Sequence, residues 1–224
     1  MRLIDYPDRD ALMLDLAGVL AEELEMALLH EERVTFVVPG GTTPGPVFDA
    51  LSVTDLDWSR VDVMLGDERW VPETSDRSNT RLLRERLLVG KAAKATLLPL
   101  YADAPQPEDK LDDLCEGIRP ALPINVLLLG MGADMHTASL FPGADRLDEA
   151  LSPNAPILLP MRAPGAPEPR ITLTAPVLAG ALSIHLLITG EEKRRALETA
   201  KATSNLRDAP VAAVLNDATV HWAD

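Results

Sequence analysis

The chain has 224 residues and a formal net charge of -14, so most of its surface repels a polyanion and nucleic acid is excluded as a partner. Hydrophobic residues make up 46% and aromatics only 4%, which predicts an ordinary globular protein with an aliphatic core. A single cysteine, Cys115, excludes an internal disulfide framework and a cysteine zinc site, and no apolar run reaches the length of a membrane span.

The length fits one domain spanning residues 1–224. The opening MRLIDYPDRD carries acids early and lacks the apolar stretch of a secretory signal, so a cytoplasmic protein is expected. Leu12, Leu16, Val19, Leu20, Leu24, Ala27 and Leu28 then recur at spacings of three and four, predicting a long amphipathic helix over 8–30. The β-rich run 34–38 stops at Pro39-Gly40-Gly41, and a helix over 44–51 follows with proline in its first turn. A strand over 61–65, a helix over 78–88, a weaker strand over 96–100 and a helix over 107–118 continue the alternation. Residues 124–129 form an unbroken aliphatic run, as a strand buried on both faces does. A strand over 184–188 and a helix over 191–201 repeat the unit. Strands alternating with helices predict an α/β fold with a mostly parallel sheet. Between 153 and 169 there are six prolines, too many for a helix or a central strand. An extended stretch and a loop over 163–167 are expected there.

In an open parallel sheet, ligands bind beyond the carboxyl ends of the strands. Four predicted strands end there in polar or glycine-rich segments. Gly40, Gly41, Thr42 and Thr43 resemble an anion cradle of backbone amides, hydroxyls and a helix N-terminus, or equally a tight strand-to-helix turn. Asp67, Glu68 and Arg69 read either as a loop ion pair or as an arginine held ready for an anion. His136 follows a glycine-rich turn, where a neutral imidazole could take a proton from water; alone it could as well be structural. Arg170 follows the proline loop, and Lys193 sits in the first turn of a helix, where a cation opposes the dipole unless an anion is near.

The segment GMGADMHTASLFPG over 130–143 closely resembles the signature of 6-phosphogluconolactonases, of the wider glucosamine/galactosamine-6-phosphate isomerase-like superfamily. DERWVP over 67–72 with Ser78 and Asn79, RITLT over 170–174 and GEEK over 190–193 resemble further blocks of that family, in family order. Two residues depart from the pattern: Met135 stands where a glycine is usual, and Thr42 where a serine is common.

The resemblance implies a doubly wound sheet with helices on both faces and hydrolysis of 6-phospho-D-glucono-1,5-lactone in the oxidative pentose phosphate pathway, with no metal or organic cofactor. On it rests the expectation that His136 is a general base, Asp67 orients its imidazole, and Gly40, Gly41, Thr42, Thr43, Arg69, Asn79, Gly132, Arg170 and Lys193 bind substrate. Ser139 lacks the G-x-S-x-G elbow and is not cast as a nucleophile. The expected partner is the sugar phosphate lactone, with no nucleic acid or membrane, and the chain is expected to be a monomer or weak homodimer. The same superfamily offers an amino-sugar phosphate isomerase and a sugar-phosphate sensor. The segment TASLF over 137–141 favours the lactonase, and the acidic first helix leaves no room for a DNA-binding segment.

Overall fold

The computed structural model describes all 224 residues, Met1–Asp224. It begins with an edge strand, β1 (Arg2–Asp5), and a long helix, α1 (Arg9–Leu28). The Asp8 carboxylate caps α1 by accepting from the Ala11 amide at 2.8 Å, satisfying one of the free N-terminal donors. Leu12, Leu16, Leu20, Leu24 and Leu28 bury its inner face, and residues 29 and 30, expected in the helix, form a turn beyond it. Strand β2 (Val34–Val38) is buried at every position, and α2 (Gly45–Ser52) follows it. Then come β3 (Val61–Leu65), β4 (Asp67–Arg69) and α3 (Asn79–Arg86), the last capped by the Ser78 hydroxyl.

The strand expected over 96–100 shrinks to β5 (Thr96–Leu97), because Pro99 has no N–H to continue the ladder. The helix expected over 107–118 splits into a 3-10 turn, Pro107–Lys110, and α4 (Leu111–Ile118). The chain continues through β6 (Val126–Gly130), α5 (Leu147–Leu151), β7 (Leu158–Met161), β8 (Arg170–Leu173) and α6 (Ala175–Ala179). It closes with β9 (Ser183–Thr189), α7 (Glu191–Ala202), α8 (Ala212–Leu215) and β10 (Ala218–Ala223).

Seven strands form one sheet in the order β1-β10-β9-β6-β2-β3-β5, and every pair is parallel. The complete burial of β2 and near-complete burial of β6 and β9 require cover on both faces of the sheet. The fold is thus the expected doubly wound α/β class. The chain runs outward from β2 through β3 to β5, then returns to the other side of β2 at β6. That reversal leaves a crevice between β2 and β6 at their carboxyl ends.

A second, three-stranded antiparallel sheet, β4-β8-β7, lies outside the expected alternation. Gly66 joins the two sheets: its N–H donates to Val38 of β2, and its carbonyl accepts from Leu173 of β8. Pro160 lies in β7, which is an edge strand, so the proline-rich run avoids a central position as expected. One cluster of buried side chains includes residues of both sheets.

Candidate active site

The segments leaving β2, β6 and β9 meet β4 and β8 in a single cleft at the carboxyl edge of the large sheet. Of the expected site residues, Gly40, Gly41, Thr43, Asp67, Arg69, Asn79, Gly132, His136, Arg170 and Lys193 line it. Thr42 does not: it is exposed, and Thr43 supplies the loop's hydroxyl. Met131, Ala138 and Leu187 complete the floor with small or apolar surface.

Two glycines are required by close approach. A Cβ on Gly40 would fall on the side-chain amide of Asn79, and one on Gly132 would fall on the imidazole of His136. The turn carrying His136 is closed by the Gly132 amide donating to the His136 carbonyl at 3.0 Å. It places Met135 at φ +65, a left-handed conformation that costs a non-glycine residue about 1–2 kcal/mol. This accounts for the glycine usual there. The Met135 side chain packs against the core, and its carbonyl accepts from the Val211 amide at 3.1 Å.

The carboxylate on His136 is Asp134, a residue outside the expected set. Its Oδ1 lies 2.5 Å from Nδ1 of the ring and also accepts from the His136 amide at 3.1 Å. A carboxylate on Nδ1 places the ring proton there and leaves the lone pair on Nε2. The ring is steadied by Phe141, whose centroid lies 4.3 Å away. Asp67 makes no hydrogen bond to the imidazole, correcting the expectation that it orients His136. It accepts from the buried hydroxyl of Ser139 at 2.5 Å and faces Arg170 at 3.7 Å. Its carboxylate is taken up by Ser139 and Arg170, while Asp134, two residues from His136 in the same turn, occupies Nδ1 of the ring. Ser139 is fully buried and committed to that contact.

The cations of the cleft are under-satisfied. Both Arg69 and Arg170 have a buried Nε without a hydrogen-bond partner, a costly arrangement for a charged donor. Burial pushes the Arg170 guanidinium below its usual pKa, against the pull of Asp67. Burial likewise lowers the Lys193 ammonium, against the attraction of Glu192 and Asp134. Such a group of desolvated donors suits a small multivalent anion. No group of three or more histidines, cysteines and acids is arranged to hold a metal ion.

With fold and cleft in place, relationships to known proteins are clear. Residues 7–222 match the family described as glucosamine-6-phosphate isomerases/6-phosphogluconolactonase, and the chain belongs to that family. Within it, the chain is similar to proteins named 6-phosphogluconolactonase. One from Pseudomonas aeruginosa is 44% identical over 210 residues, covering 92% of this chain and 88% of the relative. One from Mesorhizobium japonicum is 43% identical over 225 residues, covering 97% and 93%. The crystal structure of a 6-phosphogluconolactonase from Shewanella baltica OS155 superposes with a TM-score of 0.96 at 33% identity, covering 100% of this chain and 98% of that one. No helix is long and apolar enough to cross a membrane.

Proposed function

We propose that the chain hydrolyses 6-phospho-D-glucono-1,5-lactone to 6-phosphogluconate in the oxidative pentose phosphate pathway. The observation that carries this reading is the pairing in one cleft of an imidazole with a free Nε2 and three desolvated cations. The names of its relatives at 43–44% identity support the same substrate.

In this mechanism Nε2 of His136 takes a proton from a water as the water oxygen attacks the lactone carbonyl carbon. Asp134 fixes the tautomer and stabilises the imidazolium that forms. The tetrahedral oxyanion collapses, the bond to the ring oxygen breaks, and the imidazolium returns its proton to that oxygen. The products are the open-chain acid and a restored neutral imidazole. Arg69, Arg170, Lys193, Asn79 and the backbone of Gly40, Gly41 and Thr43 hold the phosphate and the developing charge. The chain acts as one domain over 1–224, in the cytoplasm, as a monomer or weak homodimer without nucleic acid. A single cooperative thermal transition and a sedimentation profile at or below the dimer are the expected results.

The direct test gives the purified chain freshly generated phosphorylated lactone and follows its disappearance, corrected for spontaneous hydrolysis. Strong acceleration, much weaker for unphosphorylated glucono-1,5-lactone, is expected. No acceleration would sink the reading, and turnover of glucosamine 6-phosphate instead would move the chain to the isomerase side of its family.

A further inference from the structure

Glu68 is the most deeply buried acid of the chain, with 0% exposure, and it does not line the cleft. No cation pairs with it. Its two oxygens instead accept five hydrogen bonds. Oε1 accepts from the amides of Arg69 (2.7 Å) and Asn79 (2.9 Å). Oε2 accepts from the amide and hydroxyl of Thr80, both at 2.7 Å, and from the Ser78 hydroxyl at 3.3 Å. Burying a carboxylate without a countercharge is costly, and burial does push its carboxyl pKa upward against these donors. The five hydrogen bonds offset that cost, and three of the donors are backbone amides, which can only donate and so need the acceptor a carboxylate supplies.

Those donors belong to two elements. One is the end of β4, and the other is the first turn of α3, whose N-terminal amides favour an anion. Glu68 therefore stitches α3 onto β4, and the residue it fixes at the seam is Asn79. The Asn79 side chain accepts from the Arg69 guanidinium at 3.2 Å, donates to the Asp67 carbonyl at 3.3 Å, and fills the space that a side chain at Gly40 would need. Three parts of the cleft wall thus meet on one amide, and one buried carboxylate sets where that amide stands.

We propose that Glu68 is a positioning residue for the anion-binding half of the site, holding Arg69, Asn79 and the Gly40 turn in register without touching substrate. This rests on the reading of the cleft as a sugar phosphate site. Glu68→Gln keeps the shape but turns an N–H pair toward converging donors. Thr80→Val removes a single donor and serves if the first variant does not fold. In folded Glu68→Gln, the KM for the phosphorylated lactone and the dissociation constant of 6-phosphogluconate both rise about tenfold or more, with kcat within about threefold of wild type. The Thr80→Val change goes the same way and is smaller. The side-chain amide resonances of Asn79 shift in both variants, a readout independent of turnover. Unchanged Asn79 resonances, or a fall in kcat at unchanged KM, would overturn the proposal. If the wild type neither binds 6-phosphogluconate nor hydrolyses the lactone, the functional reading fails, and the Asn79 resonances alone still decide the positioning role.

Discussion

The molecule holds its histidines and acids in two settings. In the cleft, the His136 side chain is 30% exposed, has one carboxylate partner at Nδ1, and keeps Nε2 open. Between α1 and the strands β9 and β10, His185 and His221 are 3% and 0% exposed, and every ring nitrogen is engaged. Glu23 meets His185 at 2.9 Å, His185 meets His221 at 3.0 Å, His221 meets the Tyr6 hydroxyl at 2.9 Å, and that hydroxyl donates to Asp15 at 2.8 Å. Because Tyr6 spends its proton on Asp15, it accepts from Nδ1 of His221, whose Nε2 in turn accepts from His185. The chain of contacts then closes on the Glu23 carboxylate through Nε2 of His185. The arginines divide the same way. Arg60 spends its guanidinium on the carbonyls of Leu28, Glu31 and Glu32, capping the end of α1, whereas Arg69 and Arg170 keep orphaned nitrogens in the cleft. A saturated polar network holds elements together; an unsaturated one awaits a ligand.

Substitutions can break this contrast on either side. On the open side, Asp134→Asn removes the group that fixes the imidazole tautomer, and kcat is expected to fall on the order of 10²-fold, with the fold intact by circular dichroism. A variant as fast as wild type would show that the Asp134 contact has no catalytic weight. Arg170→Ala takes away a buried donor, and the KM for the phosphorylated lactone should rise about 10-fold or more, with little change for the unphosphorylated one. Equal effects on both lactones would place Arg170 on the reacting carbonyl instead.

On the saturated side the readout is stability. Burial, and then the charge of His185, push the His221 pKa from 6.5 down to about 4. The unfolded chain takes up this proton near 6.5 and the folded chain only near 4. The contribution is therefore complete above 6.5 and declines as pH falls toward 4, by at most about 3 kcal/mol. Glu23, lowered by its hydrogen bonds from His185 and Ser183 against burial, acts in the same direction. Urea melts at pH 7 and 4.5 should show this loss, and His221→Gln should show a shallower one; parallel pH slopes in both would remove His221 from it. The smallest effect is expected at Met135. Met135→Gly relieves the positive φ but loses packing, so its stability stays within about 1 kcal/mol of wild type. Met135→Ile, β-branched at that angle, loses about 1–2 kcal/mol more, measured by the same melts.

How far the sequence discloses this depends on the kind of contact. Strand β6 is legible as a bare aliphatic run buried on both faces, and β2, β3 and β9 as short runs rich in Val, Leu and Ile that each stop before a glycine or proline. From their parallel order, the convergence of the four polar segments on one cleft follows. Strand β4 is illegible by periodicity, since Asp67, Glu68 and Arg69 lack any alternation, and the partners that make them a strand lie about a hundred residues away in β8. Strand β1 has only four residues, RLID, and β10, ATVHWA, mixes small, polar and aromatic side chains, so neither reads as an aliphatic run. Within the site, the residue types were readable and the pairings were not. Asp134 reaches His136 through a tight turn that depends on a positive φ at Met135, whereas Asp67 is drawn aside by Ser139 and Arg170.

On the proposed mechanism, the open nitrogen of His136 does the chemistry. This role is tested most directly by following loss of the phosphorylated lactone, corrected for spontaneous hydrolysis, with wild type and folded His136→Ala side by side. A fall in kcat of about 10²–10⁴-fold, with 6-phosphogluconate still bound, is expected. Equal rates in the two proteins would contradict it.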